Sequence, residues 1–590
     1  MKGNKIMALL LILALVTTLA GCSGSSGKKE TNAGKNTATP TADGAASGGD
    51  TAKGESPYAD PMTIDIYDVA ANYQGTQTGW FQKVVKDRFN IDLNIIAPQV
   101  AGESIYQARA SAGNLGDIIL LDSTDFADCV KSGLIKDIGE GIKDCTNIMG
   151  YKDQIDVFNK GLPGNDKGIT YGIPAQMTNT SPTSYSQDVI YSSPMLRWDL
   201  YKDIGSPDIA DLDGLLDALE AMVKAHPTNP DGDPAYAMSL WPDWDGGDGM
   251  MGIANVVQLT TWYGEKIKGS VILKPDGSFT PLTDKSASYY KMLQFLNKAY
   301  QRGIVDPDSG TQDWNAAQAK MSAGQVYLMW YSWQTGFWNT QDRLKGGNAF
   351  IYVPVKDQKY YADSDTYYGS GRVFGIGSKV DDAKYKRILA FLDWYASPEG
   401  LTFEHDGIKD FNYTVGADGK HTLINDNALM DNLPVPAEWG GGGYQDGNNA
   451  INQWIVDSIS TDPSTGEPYN TNYWSTYKAA TMTEMKKEWQ TKFNATEPVD
   501  YMKKNNVLLV SPNVSVSLPS DSNDIAVVRS QCNTTLNDYS WKMIFAGSQK
   551  EFDSMWDEMS KQMDGFGFQD LVTFDKDKYQ TELNAKNAVK

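Results

Sequence analysis

One short segment sets acidic residues beside tryptophans in a way that could support chemistry on a sugar. Asp243, Asp245 and Asp248 stand next to Trp241 and Trp244. Two carboxylates that flank a glycosidic bond can act as acid and as base or nucleophile, so a glycan-cleaving enzyme is one interpretation. No partner acid can be nominated, however, and we favour the alternative that these carboxylates hydrogen-bond sugar hydroxyls or cap loops.

Other catalytic and cofactor patterns are missing from the chain. Its three histidines, His226, His405 and His421, show no metal-ligand spacing, which argues against zinc hydrolysis. The sequence has neither a G-x-S-x-G nucleophile elbow nor a Walker phosphate loop, so nucleotide-driven chemistry is not indicated. We therefore predict that the protein uses no cofactor, and these absences agree with a protein that is not an enzyme.

A loop in the middle of the chain carries part of a calcium-binding pattern. Asn229, Asp231 and Asp233 supply alternating oxygen ligands. An EF-hand loop would need Gly where Pro234 stands and a bidentate Glu where Leu240 stands, so the pattern fails at both positions. We predict no metal, and calcium at this loop stays an open alternative.

The N-terminus carries the features of a lipoprotein signal. Lys2 and Lys5 precede an apolar stretch, 7–20, that ends in Leu-Ala-Gly before Cys22. This pattern predicts a signal peptide over 1–21, a lipid such as palmitate on Cys22, and a flexible Gly/Ser/Thr-rich tether over 22–61. We expect the protein to be held on the extracytoplasmic face of the cell membrane, with the lipid as its only membrane contact. The alternative is a secreted protein in which Cys22 is accidental.

The remaining cysteines leave two alternatives open. Cys129 and Cys145 could close a loop, which an extracytoplasmic location would permit, or both could be buried thiols. The odd number that remains after Cys22, with Cys532 as the third, leaves at least one free thiol.

Composition narrows the class of ligand. The net charge of −22 disfavours nucleic acid and anionic lipid as general partners. Aromatic residues make up 11% of the chain, with 16 Trp, and many stand in polar, Gly-rich stretches. Aromatic faces beside carboxylates and amides suit a sugar, which offers C–H groups on its face and hydroxyls on its edge.

The folded body begins with alternating strand and helix patterns. The apolar spacing predicts strands near 64–69, 91–95 and 117–122, with helices near 81–89 and 103–112 between them. Strand, helix, strand, helix, strand is typical of a parallel sheet with helices on its faces, so we predict an α/β fold.

Ligands of open α/β sheets bind beyond the carboxyl ends of the strands, which selects the first binding candidates. The loops at 70–73, 98–99 and 122–124 should line that crevice. Asn72, Tyr73 and Asp122 are therefore candidates by position, although Asp122 could equally cap the helix that follows.

Amphipathic helices recur through the rest of the chain. Apolar residues at helical spacing predict helices near 212–222, 289–300 and 383–395, and a capping box of Ser548 and Glu551 precedes another near 552–563. These apolar stripes are core positions.

Several short motifs occur along the chain in a characteristic order: AGNLGDII at 112–119, GLIKDI at 133–138, YGIP at 171–174, LRWDL at 196–200, MSAGQV at 321–326, FLDWYASPEG at 391–400 and SWKMIFAG at 540–547. Their order resembles that of the extracellular solute-binding proteins of ABC importers, in the large lipoprotein subgroup associated with oligosaccharides and polysaccharide fragments. Some relatives carry a calcium loop where 229–233 lies, and this chain departs from that pattern.

The resemblance implies a two-lobed, periplasmic-binding-protein-like clamp of type II, in which each lobe is a sheet flanked by helices and the C-terminal region is helical. We expect the first lobe to hold 62–175 and about 370–435, and the second to hold about 176–369 and 436–590. By this resemblance an oligosaccharide binds between the lobes of a monomer, and the closed form docks to a membrane permease. A glycan sensor or adhesin with the same clamp is a further alternative.

The residues that would hold the sugar are aromatic side chains near glycines or acids and polar side chains at strand ends. We predict as ligand-binding residues Asn72, Tyr73, Asp122, Trp241, Trp244, Asp245, Trp330, Tyr331, Trp333 and Trp439. Trp330 stands in an apolar run and is as well explained as a core residue. Overall acidity argues against strongly anionic oligomers, unless an arginine of the cleft such as Arg197 or Arg372 overrides it.

Overall fold

The structure is a computed structural model that describes residues 57–102, 104–246, 250–425 and 427–590. The predicted signal peptide, the lipidation site Cys22, most of the tether, Glu103 and Asp248 lie outside the described residues. In the part of the chain that is described, no helix is both long and apolar enough to cross a membrane.

The strands are short and fall into several sheets. They are β1 (Met62–Asp68), β2 (Gly75–Thr76), β3 (Ile91–Ile96), β4 (Ile118–Asp122), β5 (Gly172–Pro174), β6 (Ser192–Arg197), β7 (Lys266–Lys268), β8 (Val271–Leu273), β9 (Phe279–Pro281), β10 (Leu328–Tyr331), β11 (Phe350–Tyr352), β12 (Tyr360–Asp363), β13 (Arg372–Ile376), β14 (Tyr413–Val415), β15 (His421–Leu423) and β16 (Leu508–Ser511).

Helices surround these sheets and dominate the C-terminus. They are α1 (Gly79–Phe89), α2 (Pro98–Ala101), α3 (Ser104–Ser111), α4 (Ser123–Lys131), α5 (Thr146–Met149), α6 (Lys152–Gly161), α7 (Trp198–Asp203), α8 (Leu212–Ala225), α9 (Ala254–Val257), α10 (Ser288–Gln301), α11 (Trp314–Ser322), α12 (Gln341–Gly346), α13 (Asp382–Tyr395), α14 (Pro398–His405), α15 (Ser475–Ala480), α16 (Glu484–Phe493), α17 (Pro498–Lys504), α18 (Asn523–Ile544), α19 (Gln549–Gly565) and α20 (Phe568–Ala588).

The main sheet is six-stranded, in the order β2-β3-β1-β4-β13-β5. Strand β1 pairs in parallel with β3 and β4, which confirms the predicted parallel strands. Strand β13, from much later in the chain, pairs antiparallel with β4 and β5. The sheet is therefore mixed, and the carboxyl ends of β1, β3 and β4 share one edge.

Capping residues set the starts of the predicted helices. Asp211 precedes α8 and its side chain accepts a hydrogen bond from the Gly214 amide. Ser548 does the same for α19 by accepting from the Glu551 amide, and the Glu551 carboxylate accepts from the Gly547 amide. These bonds satisfy amides that have no partner within the first helical turn, and the predicted capping box of Ser548 and Glu551 is confirmed.

Buried apolar side chains divide the described body into two lobes. The core of the first lobe draws on residues 64–177 and 373–469. The core of the second lobe draws on residues 185–362 and 485–571, with the C-terminal helices packed onto it. Each lobe is a sheet flanked by helices, as the α/β clamp prediction requires.

The return of the chain to the second lobe differs from the expected boundary near 435. Tyr444, Ile451 and Val456 belong to the first core. The Tyr444 ring stacks on Trp80 of α1, with ring centroids 5.3 Å apart, and the Trp80 indole donates to the Tyr444 carbonyl. These contacts could not be predicted, because the segment is a long loop without a regular sequence pattern. The segment up to Tyr469 packs with the first lobe.

The chain passes between the two cores at three places, within 177–185, 362–373 and 469–485. The first two passages lie side by side, since the Asp365 amide donates to the Ser184 carbonyl at 2.8 Å. Gly369 permits the second passage to approach Pro174, because its φ is +97° and a Cβ there would lie 2.8 Å from Pro174.

Candidate ligand-binding site

Aromatic residues of the second lobe gather where its parallel segments end. The segment at 236–238 forms parallel bridges to Val326 and to Val305, and it leads directly to Trp241. Strand β10 follows Val326 and ends at Tyr331. Because parallel segments end at the same edge of a sheet, this edge is the expected ligand crevice of the lobe.

The inner layer of this aromatic group is two stacked tryptophans. The rings of Trp241 and Trp330 are 5.4 Å apart and 3° from parallel, and neither side chain is exposed. Among the described residues, neither indole Nε1 has a hydrogen-bond partner. Neither ring offers a face to a ligand in this conformation. Trp330 is therefore a core residue, as the alternative interpretation had it, and Trp241 is a core residue too.

The outer layer presents aromatic faces to solvent, and we call it the aromatic shelf. It consists of Tyr191, Trp244, Trp314, Trp333 and Phe337. Trp333 is 37% exposed and Tyr191 57% exposed, while the other three are half-buried. The Trp244 and Trp314 rings lie 4.7 Å apart, and Trp333 is 6.1 Å from Trp244. Such a rigid set of rings suits stacking on flat, partly apolar ligands.

Three shelf residues were missed by the sequence analysis. Tyr191 reaches the shelf because β6 runs antiparallel to β10, so that the Ser332 amide donates to the Tyr191 carbonyl at 3.0 Å. Trp314 begins α11 and Phe337 ends the 3-10 turn after β10. The available signal was a tryptophan directly after the helix cap Asp313.

The acids of the Trp241–Trp244 segment hold the loop in place. Both oxygens of Asp245 accept hydrogen bonds, one from the Ala254 amide at 2.7 Å and one from the Trp541 indole at 2.6 Å. Burial raises the pKa of Asp245 to about 6. Asp243 accepts from the Trp314 amide at 3.0 Å. In this arrangement both oxygens of Asp245 are bonded within the protein, so Asp245 holds the loop that carries Trp244.

Asn72 and Tyr73 lie in the first lobe at a cavity of about 230 Å³ that is rich in side-chain amides. The other amide side chains that line it are Gln77, Gln445, Asn448, Asn449 and Asn452. Tyr73 is 39% exposed and donates to the Thr76 carbonyl at 2.7 Å. Amides both donate and accept, which matches the edge hydroxyls of a sugar.

The segment that carries these asparagines docks on α1 through two glycines. A Cβ on Gly79 would lie 2.2 Å from the Cα of Gly447. The Phe81 amide donates to the Gly447 carbonyl at 3.1 Å, and the Gln77 side chain donates to the Asn448 carbonyl at 3.0 Å. This contact joins residues far apart in sequence, which is why Asn448 and its neighbours were missed.

Asp122 lines a second cavity, of about 480 Å³, at the carboxyl ends of β1, β3 and β4. Pro98 and Gln99 line it too, so two of the three loops expected at the crevice meet there. The Asp122 carboxylate makes no cap hydrogen bond to α4, and one of its oxygens lies 3.4 Å from Nε of Arg372. Asp122 is thus an exposed residue of the crevice.

A third cavity, of about 510 Å³, lies between the lobes, and we call it the inter-lobe cavity. The first lobe contributes α4 from Ser123 to Lys131, together with Arg372 at the start of β13. The second lobe contributes the loop 514–520 and Lys578 with Tyr579 of α20.

Trp439 stands apart from the shelf. It is half-buried against the core of the first lobe, and its ring is 5.8 Å from that of Phe403. The following Gly440 has φ +100° and approaches Lys83 of α1. The glycines after Trp439 thus serve a close contact with a helix.

The loop at 229–233 does not fit a calcium site. The Asn229 side-chain oxygen accepts from the amides of Asp231 and Asp233, at 3.1 and 2.8 Å. Its amide nitrogen donates to the Ala323 carbonyl and faces the Asp233 carboxylate at 3.4 Å. An NH₂ group therefore stands where a cation ligand would be needed. Within the described ranges, no group of three or more His, Cys, Asp or Glu could hold a metal.

The described cysteines are three separate buried thiols. Cys129 and Cys145 belong to different core clusters, so in the structure both are buried free thiols and not a disulfide. Cys129 contacts the Tyr106 hydroxyl at 3.5 Å. Burial raises the pKa of Cys145 to about 12 and that of Cys532 to about 11.

These features define a class: a two-lobed α/β fold with candidate ligand surfaces on both lobes and a cavity between them. The family model of bacterial extracellular solute-binding proteins matches residues 74–402. The chain belongs to this family, which confirms the resemblance found in the sequence motifs.

Solved structures share the fold at low sequence identity. An extracellular solute-binding protein from Bifidobacterium longum subsp. infantis is 15% identical with a TM-score of 0.58, over 89% of this chain and 99% of that chain. The alginate-binding protein AlgQ2 is 14% identical with a TM-score of 0.55, over 89% and 99%. The S. pneumoniae substrate-binding protein FusA, in complex with kestose, is 16% identical with a TM-score of 0.55, over 88% and 100%. No relative is found among the curated proteins.

Proposed function

We propose that this protein is the substrate-binding lipoprotein of an ABC importer and that it captures an oligosaccharide between its lobes. The aromatic shelf is the observation that carries the proposal. Its exposed Trp333 and Tyr191 faces, with half-buried rings around them, suit stacking on sugar rings. The amide-lined cavity beside Asn72 supplies hydrogen bonds of the kind that sugar hydroxyls accept and donate.

The ligands of structures with the same fold support this class. These structures include an alginate-binding protein, an HMO-binding solute-binding protein, a substrate-binding protein in complex with kestose and an N-glycan transport solute-binding protein. Identities of 11–16% leave the particular sugar of this chain undetermined by likeness. We therefore assign the oligosaccharide class from the shelf and the amides.

Capture would work by differential affinity. A ligand that contacts both lobes at once favours the closed arrangement, and closure needs only small changes where the chain passes between the cores. We propose that the permease recognises the closed form of a monomer. The lipid on Cys22 would keep the protein near that permease on the extracytoplasmic face, with 22–61 as a tether.

The test is a screen of the purified protein on an oligosaccharide array, followed by calorimetry with the best-bound glycan. Saturable binding of at least one oligosaccharide is expected. Binding of a peptide or another solute, with no oligosaccharide bound, contradicts the sugar class. Shorter products after incubation with the best-bound glycan would favour the glycan-cleaving enzyme. Unchanged uptake of that glycan after deletion of the gene would favour a sensor or adhesin.

A further inference from the structure

The charged side chains that line the inter-lobe cavity are mostly basic, although the protein as a whole is acidic. The chain has 74 acidic and 52 basic side chains. The charged side chains that line this cavity are instead Lys131, Arg372 and Lys578 with a single acid, Asp128. At physiological salt the field of a charge decays over about 8 Å, so the charged groups at the cavity act on a bound group more strongly than the distant acidic surface does.

Arg372 is held in place by two neighbours. Its Nη1 donates to the Gln453 side-chain oxygen at 3.0 Å, and its Nε lies 3.4 Å from the Asp122 carboxylate. The side chain is 40% exposed. A guanidinium carries five N–H donors, so two neighbours leave donors for a ligand.

Lys578 is loosely paired. Its ammonium lies 3.9 Å from the Asp521 carboxylate, although the side chain is only 17% exposed. On the same helix, α20, Glu582 is paired with Lys268 at 2.9 Å. Lys131 is 3.6 Å from Asp128 and is 67% exposed. Both ammonium groups can therefore donate to a further acceptor.

The rest of the lining suits a sugar. Tyr368 and Tyr579 contribute rings, and Ser123, Thr124 and Ser517 contribute hydroxyls. A sugar acid combines apolar ring faces, hydroxyls and one charge. Such a charge is costly to remove from water unless cations or hydrogen-bond donors meet it.

We propose that the inter-lobe cavity binds the anionic group of an acidic oligosaccharide, a carboxylate or a sulfate, between Lys131, Arg372 and Lys578. This inference rests on the proposed function and specifies its ligand class. It takes up the alternative that the sequence left open, in which a cleft arginine such as Arg372 overrides the overall acidity. Since Lys131 and Arg372 belong to the first lobe and Lys578 to the second, the anionic group would contact both lobes and favour closure.

The first experiment uses an array that holds neutral, uronate-bearing and sulfated oligosaccharides. The best-bound glycan is expected to carry an anionic group, and the uronate and sulfate arms identify which one. A neutral best-bound glycan overturns this inference and leaves the proposed function standing. If no oligosaccharide binds at all, the proposed function fails, and this inference fails with it.

The second experiment measures the affinity of the best-bound glycan by calorimetry for K131Q, for K578Q and for the control K487Q. Lys487 is matched to Lys131, since it pairs with Glu484 three residues away and is 54% exposed. Loss of a charge-assisted hydrogen bond should weaken binding about tenfold in K131Q and K578Q, with less than about a twofold change in K487Q. Added salt should weaken wild-type binding.

Equal affinities in all three variants overturn the inference. K131Q decides the outcome if K578Q does not fold, because Lys131 is an exposed residue whose replacement leaves the core intact.

Discussion

The Tyr331 ring stacks on the ring of Trp333, with centroids 5.2 Å apart, and the two side chains differ sharply in exposure. Tyr331 is 3% exposed and Trp333 is 37% exposed. The boundary between the core of the second lobe and the aromatic shelf therefore runs between these rings. Substitutions of exposed shelf residues should weaken ligand binding. Substitutions of buried core residues should lower the stability of the protein.

Trp333→Ala should weaken binding of the best-bound oligosaccharide at least about fivefold, because it removes an exposed stacking face worth about 1 kcal/mol. Calorimetry measures the affinity. Tyr300→Ala is the matched control: Tyr300 is 38% exposed and packs edge-on against Phe545, and neither residue belongs to the shelf. An equal change in both variants would mean that the shelf is not the binding surface.

Trp330→Ala should lower the free energy of unfolding by about 3–5 kcal/mol, because it empties a fully buried site and removes the stack on Trp241. Urea unfolding monitored by circular dichroism gives this quantity. Trp333→Ala should cost much less stability. If Trp330→Ala kept full stability and lost affinity, Trp330 would be a ligand contact.

Asp68 should make stability depend on pH. It ends β1 with no exposure, its Oδ1 accepts from the Ala70 amide at 2.7 Å, and for Oδ2 the described residues supply no hydrogen-bond partner. Burial raises the pKa of Asp68 to about 7, against the opposing effects of the Ala70 amide and Arg372. An unfolded aspartate titrates near about 4. The folded protein therefore binds this proton more tightly than the unfolded chain does. The free energy of unfolding should fall as pH rises from about 4 to about 7.

Asp68→Asn removes this titration. The free energy of unfolding of the variant should rise relative to wild type between pH 4.5 and 7.5, by up to about 4 kcal/mol, since three pKa units correspond to that energy. Asp166→Asn, at an exposed position, serves as the control. A constant difference between Asp68→Asn and wild type across this range would show that the Asp68 carboxyl is not protonated in the fold.

The buried cysteines should be unreactive until the protein unfolds. In a Cys22→Ser variant, a thiol reagent without reductant should react with almost no cysteine in the native state. It should react with Cys129, Cys145 and Cys532, three free thiols, in denaturant, because all are buried and unpaired. A count of one thiol in denaturant would mean that Cys129 and Cys145 form a disulfide.

Cys22→Ala should release the protein from cells into the medium with its ligand affinity unchanged, because the lipid would be removed and the lobes would not. Fractionation followed by calorimetry on the released protein measures both effects. Retention at the membrane would contradict lipidation at Cys22. Lower affinity would contradict the separation of the anchor from the clamp.

Much of the fold was predictable from local patterns. The strands β1, β3 and β4 and the helices α8, α10, α13 and α19 follow the predicted periods and caps, because apolar spacing and capping act within a few residues. The antiparallel insertion of β13 between β4 and β5 was not predictable, since it pairs segments far apart in sequence.

Local sequence patterns establish which side chains are available for chemistry and where several of the regular elements lie. They identify aromatic and acidic residues near Trp244, and three histidines with no metal-ligand spacing. Which aromatic rings face solvent depends on tertiary packing, because that packing buries Trp241 and Trp330 and brings Tyr191 to the shelf. Tertiary packing also decides the local charge of the inter-lobe cavity. Exposure and charge at a surface depend on contacts between distant segments, and composition averages over those contacts.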